Sequence, residues 1–382
     1  MPAPDRRYDL DALRVGAFML LILYHLGMFY VPWGWHVKSS HILPALEPWM
    51  GAVNPWRLSL LFVISGAATR FMSDRQGSGA LAAQRSQRLL IPLLFGMLVV
   101  VAPQSWAEVV ETKGYAGGFL DFWPRYLSFD SSFGIILPTY NHLWFVVYLW
   151  VYTVLAILAR PLWPAMERAT ARLLSGPGLL IVPIVLTGLY RGTAGQAWGE
   201  THLVWADGYA HLQYGTMFLL GLLMARNEAA WAFLERQRFV LLGIAAAIFA
   251  AAFALIRYEE QPGWPGFGFA FLREGYAWTV ICALFAFAHR HIRSGSPLLT
   301  TLTEAVFPFY IIHQTTIVVV GHVLKPYGLA ALPEAAIILA ATVASCWATY
   351  ALAVAVPILR LPLGLKPLER RKASRPAVAP AA

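Results

Sequence analysis

Apolar stretches of about 20 residues recur along almost the whole chain, and this recurrence constrains its fold more than any other feature. The chain has 382 residues, of which 58% are hydrophobic and only 13% charged. Inside a bilayer each segment must satisfy its own backbone hydrogen bonds, which favours helices. The sequence therefore predicts an all-α integral membrane protein with about ten transmembrane helices.

The predicted spans follow one another with short connections. Their approximate limits are 13–33, 55–74, 88–108, 142–161, 178–192, 209–225, 239–257, 272–289, 305–324 and 334–357. The weakest prediction is the fifth span, because it is short and contains Pro183. We expect one transmembrane domain over 1–360 and then a tail over 361–382, which is first basic and then rich in alanine and proline. Such a composition favours a disordered segment.

The distribution of lysine and arginine gives the orientation of these spans. If the N-terminus is inside, most of the 29 basic residues fall in the inner loops. Because basic loops remain in the cytoplasm, both termini are expected there. The net charge of +9 is explained by the same loops, so nucleic acid is not an expected partner, whereas the lipid bilayer is. The sequence does not indicate the oligomeric state.

Two polar residues inside the first apolar segment, Arg14 and His25, indicate a functional site. On a helix both side chains project from one face, roughly 16 Å apart along the axis, and Asp11 lies one turn before Arg14. Ionisable residues within a membrane are costly and usually functional. The alternative for each residue alone is structural: Arg14 would reach lipid headgroups, and His25 would be a hydrogen-bonded core residue.

These residue types suit acyl transfer from a thioester to an alcohol. A neutral imidazole can take the proton of a hydroxyl, so His25 is a candidate general base. A guanidinium near the cytoplasmic face suits phosphate oxygens, which makes Arg14, together with Arg85 and Arg88, a candidate donor site. For Arg85 and Arg88, anchoring by positive charge is an equally good explanation.

The other candidate residues carry weaker signals. Ser65 precedes Gly66, and this pair favours a close helix crossing over a nucleophilic serine. The tryptophans Trp33, Trp35 and Trp144 are candidates for stacking on sugar rings, although each alone is more typical of an interfacial anchor. The sequence lacks metal-binding, phosphate-loop and dinucleotide motifs, so we expect no metal and no permanently bound cofactor.

Several motifs, taken in order, resemble those of the membrane acyltransferase family 3. They are Asp11 with Leu13-Arg14 and His25, then Phe62 to Gly66, Arg85 with Arg88 and Pro92, His142 to Phe145, and Tyr310 with His313. Each motif alone is weak evidence, but their common order between residues 8 and about 315 is specific. The chain departs from the family in its last motif, where Thr303-Glu304-Ala305 stands in place of the serine that many members have before the aromatic stretch.

The resemblance implies a multi-pass O-acyltransferase of the bacterial inner (plasma) membrane with a cytoplasmic acyl-CoA donor. We expect catalytic roles for His25, Arg14 and Asp11, with His25 essential for transfer. We expect donor contacts from Arg14, Arg85, Arg88 and Ser65. We expect acceptor contacts from His36, Trp33, His142, Trp144 and His313.

The segments Tyr30 to Ser39 and Glu304 to Gln314 are most similar to a branch of the family that is associated with the succinylation of periplasmic glucans. The expected donor is succinyl-CoA or acetyl-CoA, and the expected acceptor is a hydroxyl of a periplasmic glucan or another glycan. The main alternative is a transporter or flippase of a glycan or lipid intermediate, in which intramembrane Arg and His residues line a pathway. A third is a non-catalytic subunit that scaffolds glucan synthesis. Direct transfer and an acyl-His25 intermediate both remain open.

Overall fold

The computed structural model describes residues 6–255 and 266–367, and in these residues the chain forms helices and no strands. The helices are α1 (Tyr8–Tyr30), α2 (Glu47–Ser73), α3 (Ser78–Phe95), α4 (Ala102–Lys113), α5 (Phe119–Leu127), α6 (Trp144–Leu158), α7 (Trp163–Thr170), α8 (Gly178–Tyr190), α9 (Gln196–Trp198), α10 (Gly208–Met224), α11 (Glu228–Leu255), α12 (Gly266–His291), α13 (Pro297–Leu324) and α14 (Ala331–Ala355). The prediction of an all-α fold is confirmed for these residues.

Seven helical stretches in the described part are long and apolar enough to cross a membrane, by length and composition. They are those of α1, α11, α12, α13 and α14, together with Asn141–Leu158, which contains α6, and Gly178–Trp198, which contains α8 and α9. Helices α3 and α4 give an eighth span if they cross together, with a bend of 41° between them. This bend follows the π-helical turn Gly96–Val100 and precedes Pro103, and both features interrupt the regular helical hydrogen bonds. The other two predicted spans coincide with α2 and with α10, which has only 17 residues. The count of ten spans and the cytoplasmic termini stay predictions.

The outermost helices present large apolar side chains to the surroundings. On α11, Phe239 and Val240 are 65% and 55% exposed, and on α14 Leu352 is 48% exposed. A continuous apolar surface of this kind is unfavourable in water but not against lipid tails. The exposed surface therefore agrees with the composition in favouring a membrane environment.

Helix α1 packs against α2, α12, α13 and α14. Its apolar residues Phe18 and Leu21 belong to the main hydrophobic core, and Phe29 is fully buried. The covered side of α1 carries His25, which contacts α13, whereas Leu23 on another side is 51% exposed. This position is what makes the single histidine of α1 available for chemistry.

Helices α2 and α10 cross with their backbones in contact at two glycines. A Cβ atom at Gly66 would lie 1.9 Å from the carbonyl oxygen of Phe218, and one at Gly221 would lie 1.9 Å from the carbonyl oxygen of Val63. No side chain fits at either position. The interpretation of Ser65–Gly66 as a close helix crossing is confirmed.

The packed part of the chain continues past residue 360. Leu363 and Leu365 are buried in a small cluster with Ala353, which is on α14. The end of the predicted span 239–257 and positions 368–382 of the predicted tail lie outside the described residues.

The glycine crossing predicts a difference between two substitutions on the same helix. Gly66→Ala should destabilise the protein by about 1–3 kcal/mol because α2 and α10 must separate. Gly51→Ala is the matched control, because a Cβ atom at Gly51 meets nothing within 4 Å, and alanine is the better helix former. Thermal unfolding of the purified variants in detergent measures the difference. Equal unfolding midpoints for the two variants would contradict the close crossing.

Candidate active site

A cavity of about 740 Å³ is lined by residues of α1, α2, α4, α6, α10 and α13 together with three loop segments. The loop segments, 34–36, 139–142 and 200–203, all belong to loops that the sequence places on the outer side of the membrane. The polar side chains in its wall include His25, His36, Arg57, Glu108, His142 and Glu200. The volume is typical of small-molecule sites.

Two histidines from opposite ends of the sequence meet at this cavity. His25 Nδ1 lies 2.8 Å from His313 Nε2, and the two rings are nearly parallel with centroids 5.0 Å apart. His25 lines the cavity, whereas His313 is fully buried behind it. The structure therefore brings the first and last sequence motifs together in one pair, in which His313 contacts His25 rather than the cavity.

The hydrogen bonds of His313 determine which nitrogen of His25 can act as a base. His313 Nδ1 lies 2.8 Å from the carbonyl oxygen of Tyr310 and 3.2 Å from that of Phe309, and carbonyl oxygens only accept. In a neutral ring the proton is then on Nδ1, and Nε2 accepts a hydrogen bond from His25 Nδ1. Because His25 Nδ1 carries the proton, the free lone pair of the ring is on Nε2. This atom has no hydrogen-bond partner among the described residues.

His142 supports this pair from the side. Its ring centroid lies 5.2 Å from that of His313, and its Nε2 donates to the carbonyl oxygen of Ile311 at 3.0 Å. Its Nδ1 accepts from Gln104 Nε2 at 3.4 Å. Gln104 Oε1 in turn accepts from Asn141 at 3.3 Å. This network of neutral groups fixes α4 and α13 around the histidine pair.

Aromatic and charged side chains form the outer part of the wall. Trp35 stacks on the His25 ring at 6.3 Å, and Trp144 stacks on His202 at 4.2 Å. His36 Nδ1 lies 2.6 Å from a carboxylate oxygen of Glu108. Flat aromatic faces beside paired polar groups are suited to a carbohydrate, which has both apolar ring faces and hydroxyls.

Trp33 and Ser65, like His313 and the arginines of the predicted donor site, are predicted contact residues that do not line this cavity. The indole N–H of Trp33 donates to Glu47 at 2.8 Å, and its ring packs with Tyr24 and Met50. The backbone carbonyl of Ser65 accepts from Thr69 at 2.9 Å. Neither residue lines the cavity, so direct substrate contacts from them stay predictions.

The sequence analysis missed three charged residues of the cavity, Arg57, Glu108 and Glu200. Arg57 carries the same signal as Arg14, an arginine within a predicted span. Glu200 is in a loop with no recognisable motif. Burial raises the pKa of the Glu200 carboxyl, but hydrogen bonds from His202 and Tyr214 outweigh this effect and hold it at about 2. Glu200 is therefore ionised at neutral pH.

A cluster of arginines lies beyond the other end of the cavity. Phe18 lines the cavity and is one helical turn after Arg14, a rise of roughly 6 Å. Arg14 Nη2 lies 3.1 Å from Asp11, and its charge acts on both Arg85 and Arg88. The predicted donor residues Arg14, Arg85 and Arg88 are thus brought together, and Asp11 orients the first of them.

This arginine cluster has unused hydrogen-bonding capacity. The Nε atoms of Arg14 and Arg85 are buried without a hydrogen-bond partner in the described part of the chain. Among the same residues, no carboxylate forms an ion pair with Arg85 or Arg88. The excess of buried positive charge suits the phosphates of a nucleotide. By contrast, the described residues contain no group of three or more His, Cys, Asp or Glu side chains that could hold a metal ion.

Comparison with known proteins agrees with the order of the motifs. The family model described as an acyltransferase domain, that of acyltransferase family 3, matches residues 7–351. The chain belongs to this family. Together with its apolar helices, this membership makes the protein a multi-pass membrane acyltransferase.

Among similar proteins, the glucans biosynthesis protein C of Salmonella gallinarum is 23% identical over 343 residues, which cover 86% of each chain. The glucans biosynthesis protein C of Escherichia coli O6:K15:H31 is 29% identical over 157 residues, which cover 41% of this chain and 40% of that protein. No solved structure matches the chain.

The histidine pair predicts a specific response to substitution of His313. His313→Phe removes the acceptor for His25 Nδ1, so the turnover number for acyl transfer should fall roughly 100-fold, with little change in the Michaelis constant for the donor. His313→Gln should retain much of the activity, because its amide oxygen can accept the same hydrogen bond. Steady-state kinetics of purified, monodisperse variants measures both parameters. Equal losses in the two variants would contradict a positioning role.

Proposed function

We propose that the protein transfers a succinyl or acetyl group from acyl-CoA, on the cytoplasmic side of the bacterial inner membrane, to a hydroxyl of a periplasmic glucan or another glycan. The observation that carries this proposal is the position of His25. Its free Nε2 atom belongs to a residue in the wall of a large cavity. The arginine cluster, which includes Arg14 of the same helix, lies beyond that cavity.

The donor would bind along α1. Its phosphates would pair with Arg14, Arg85 and Arg88, and its pantetheine arm would extend past Phe18 toward His25. The rise of roughly 16 Å between Arg14 and His25 allows the thioester to lie deep while the nucleotide stays near the surface. The acceptor would enter from the outer loops, where Trp35, Trp144 and the His36–Glu108 pair can contact sugar rings and hydroxyls. A glucan acceptor is supported by the names of the similar proteins.

The transfer step needs one base and one stabilising donor. In the direct mechanism, His25 Nε2 takes the hydroxyl proton while the oxygen attacks the thioester carbonyl. The amide groups of Asn141 and Gln314 line the cavity and can donate to the resulting oxyanion. The tetrahedral intermediate then collapses, the carbon–sulfur bond breaks, and the CoA thiolate takes the proton from the His25 imidazolium.

Substitution of His25 tests the proposal. Purified protein with acyl-CoA and a glucan should release CoA thiol and increase the glucan mass, and His25→Ala should reduce this transfer at least about 100-fold without lowering the amount of protein in the membrane. His41→Ala is the matched control, because His41 does not line the cavity and its Nε2 donates to the carbonyl oxygen of Leu329 at 2.7 Å. Persistent transfer by His25→Ala would remove His25 from the mechanism.

The same variants test the acceptor in cells. Periplasmic glucans from cells that lack the protein should gain an acyl mass increment when the wild type is restored, but not when His25→Ala is restored. The size of the increment identifies the acyl group. Identical glucans in all strains would reject the glucan acceptor, and the absence of acyl-CoA turnover by pure protein would favour the transporter alternative.

A further inference from the structure

Arg57, on α2, is a buried arginine in the cavity wall without an ion-pair partner. It is only 7% exposed, and its guanidinium lies 3.4 Å from the centre of the Tyr24 ring. Its Nη1 donates to Asn54 Oδ1 at 2.5 Å, but its Nε is buried without any partner. No carboxylate of the described residues lies within ion-pair distance of Arg57.

This arrangement differs from that of Arg191 and Arg70, which both pair with carboxylates. Arg191 Nε lies 2.5 Å from Glu274, and Arg70 binds both Asp74 and Glu167. An unpaired buried charge is unfavourable, and contact with an aromatic ring offsets only a part of this cost. The balance favours an anion that the ligand supplies.

The charged residues around Arg57 do not neutralise it. The charges of Glu200 and Arg273 both act on Arg57, with opposite signs. Glu200 is itself occupied by the Tyr214 hydroxyl at 2.6 Å. Glu274 is shared by Arg191 and Arg273, the latter at 2.8 Å. None of these carboxylates thus forms a direct ion pair with Arg57.

Arg57 is within reach of a group that reacts at His25. The Tyr24 and His25 ring centroids are 6.2 Å apart, and the guanidinium carbon lies 3.4 Å from the Tyr24 centroid. The guanidinium carbon of Arg57 is therefore no farther from the centre of the His25 ring than the sum of these two distances. A four-carbon dicarboxylic acyl group places its free carboxylate roughly 4 Å from the reacting carbonyl carbon. A carboxylate held by Arg57 can therefore belong to the molecule that reacts at His25.

We propose that Arg57 is a specificity-determining residue of the transfer cavity, which binds an anionic group of the substrate. The group is the free carboxylate of a dicarboxylic acyl chain or an anionic substituent of the acceptor, since both present the same chemistry to a guanidinium. The inference rests on the proposed function and goes beyond it, because it distinguishes a charged acyl group or acceptor from a neutral one.

A comparison of charged and neutral substrates of equal length tests this subsite. Succinyl-CoA and butyryl-CoA both carry four-carbon acyl groups, and only the former has a carboxylate. The purified full chain should prefer succinyl-CoA by roughly 10- to 100-fold in kcat/KM, as expected for a charge-assisted hydrogen bond. In Arg57→Met the ratio of kcat/KM for succinyl-CoA to that for butyryl-CoA should fall close to one, because succinyl transfer is lost. The remaining butyryl transfer shows that the variant is folded. Arg57→Lys should restore part of the preference.

A control variant and a comparison of anionic with neutral glucans complete this experiment. Arg125→Met is the matched control, because Arg125 is an outer-side arginine that lies away from the cavity and pairs with Asp130. If Arg57→Met instead abolishes a preference for an anionic over a neutral glucan, the anion belongs to the acceptor. If Arg57→Met lowers every donor and acceptor combination by the same factor, or changes none, the anion subsite is rejected.

A binding measurement separates this inference from the proposed function. Succinate, but not its neutral diamide, should raise the unfolding temperature of the wild type, and Arg57→Met should lose this shift. If the wild type transfers no acyl group at all, the proposed function fails, while a succinate shift that depends on Arg57 still supports the subsite. The absence of both transfer and shift overturns the two together.

Discussion

The hydrogen bond between His25 and His313 is the interaction on which the rest of the site depends. It joins α1 to α13 at 2.8 Å and, through the carbonyl oxygens of Tyr310 and Phe309, fixes the proton positions in both rings. The remainder of the His25 ring faces an open cavity, so the protein must orient the imidazole through its Nδ1 atom. A buried partner with an acceptor nitrogen does so without adding a charge beside the base.

Helix α1 organises the site along its length. The arginine cluster is near its beginning, the histidine base lies deeper, and Arg57 reaches the same region through the Tyr24 ring. Helix α2 brings Arg57 there, and the contact of Gly66 and Gly221 with facing backbones keeps α2 close to α10. The site thus has an arginine cluster beyond one end of the cavity, a second cation, Arg57, in the cavity wall, and the His25 base on the helix that connects them.

Local patterns in the sequence predicted much of this structure. Apolar length predicted the helices, because a bilayer imposes that length, and helical periodicity placed Arg14 and His25 on one face. The pairing of His25 with His313 was not predictable from spacing, because 288 positions separate the two residues and only tertiary packing brings them together. Trp33 lies near the first motif in sequence, yet the direction of its side chain toward Glu47 depends on how the loop folds. Gln104 and Glu200 lack any local signal, since their roles come entirely from neighbours on other segments.

The most direct test of the account is a cryo-EM structure of the protein with a non-hydrolysable thioether analogue of acyl-CoA. The account predicts that the nucleotide phosphates contact Arg14, Arg85 and Arg88, and that the acyl carbonyl lies in the cavity beside His25 Nε2. An analogue bound with its acyl group outside the cavity, or with its phosphates at the outer loops, would contradict the account.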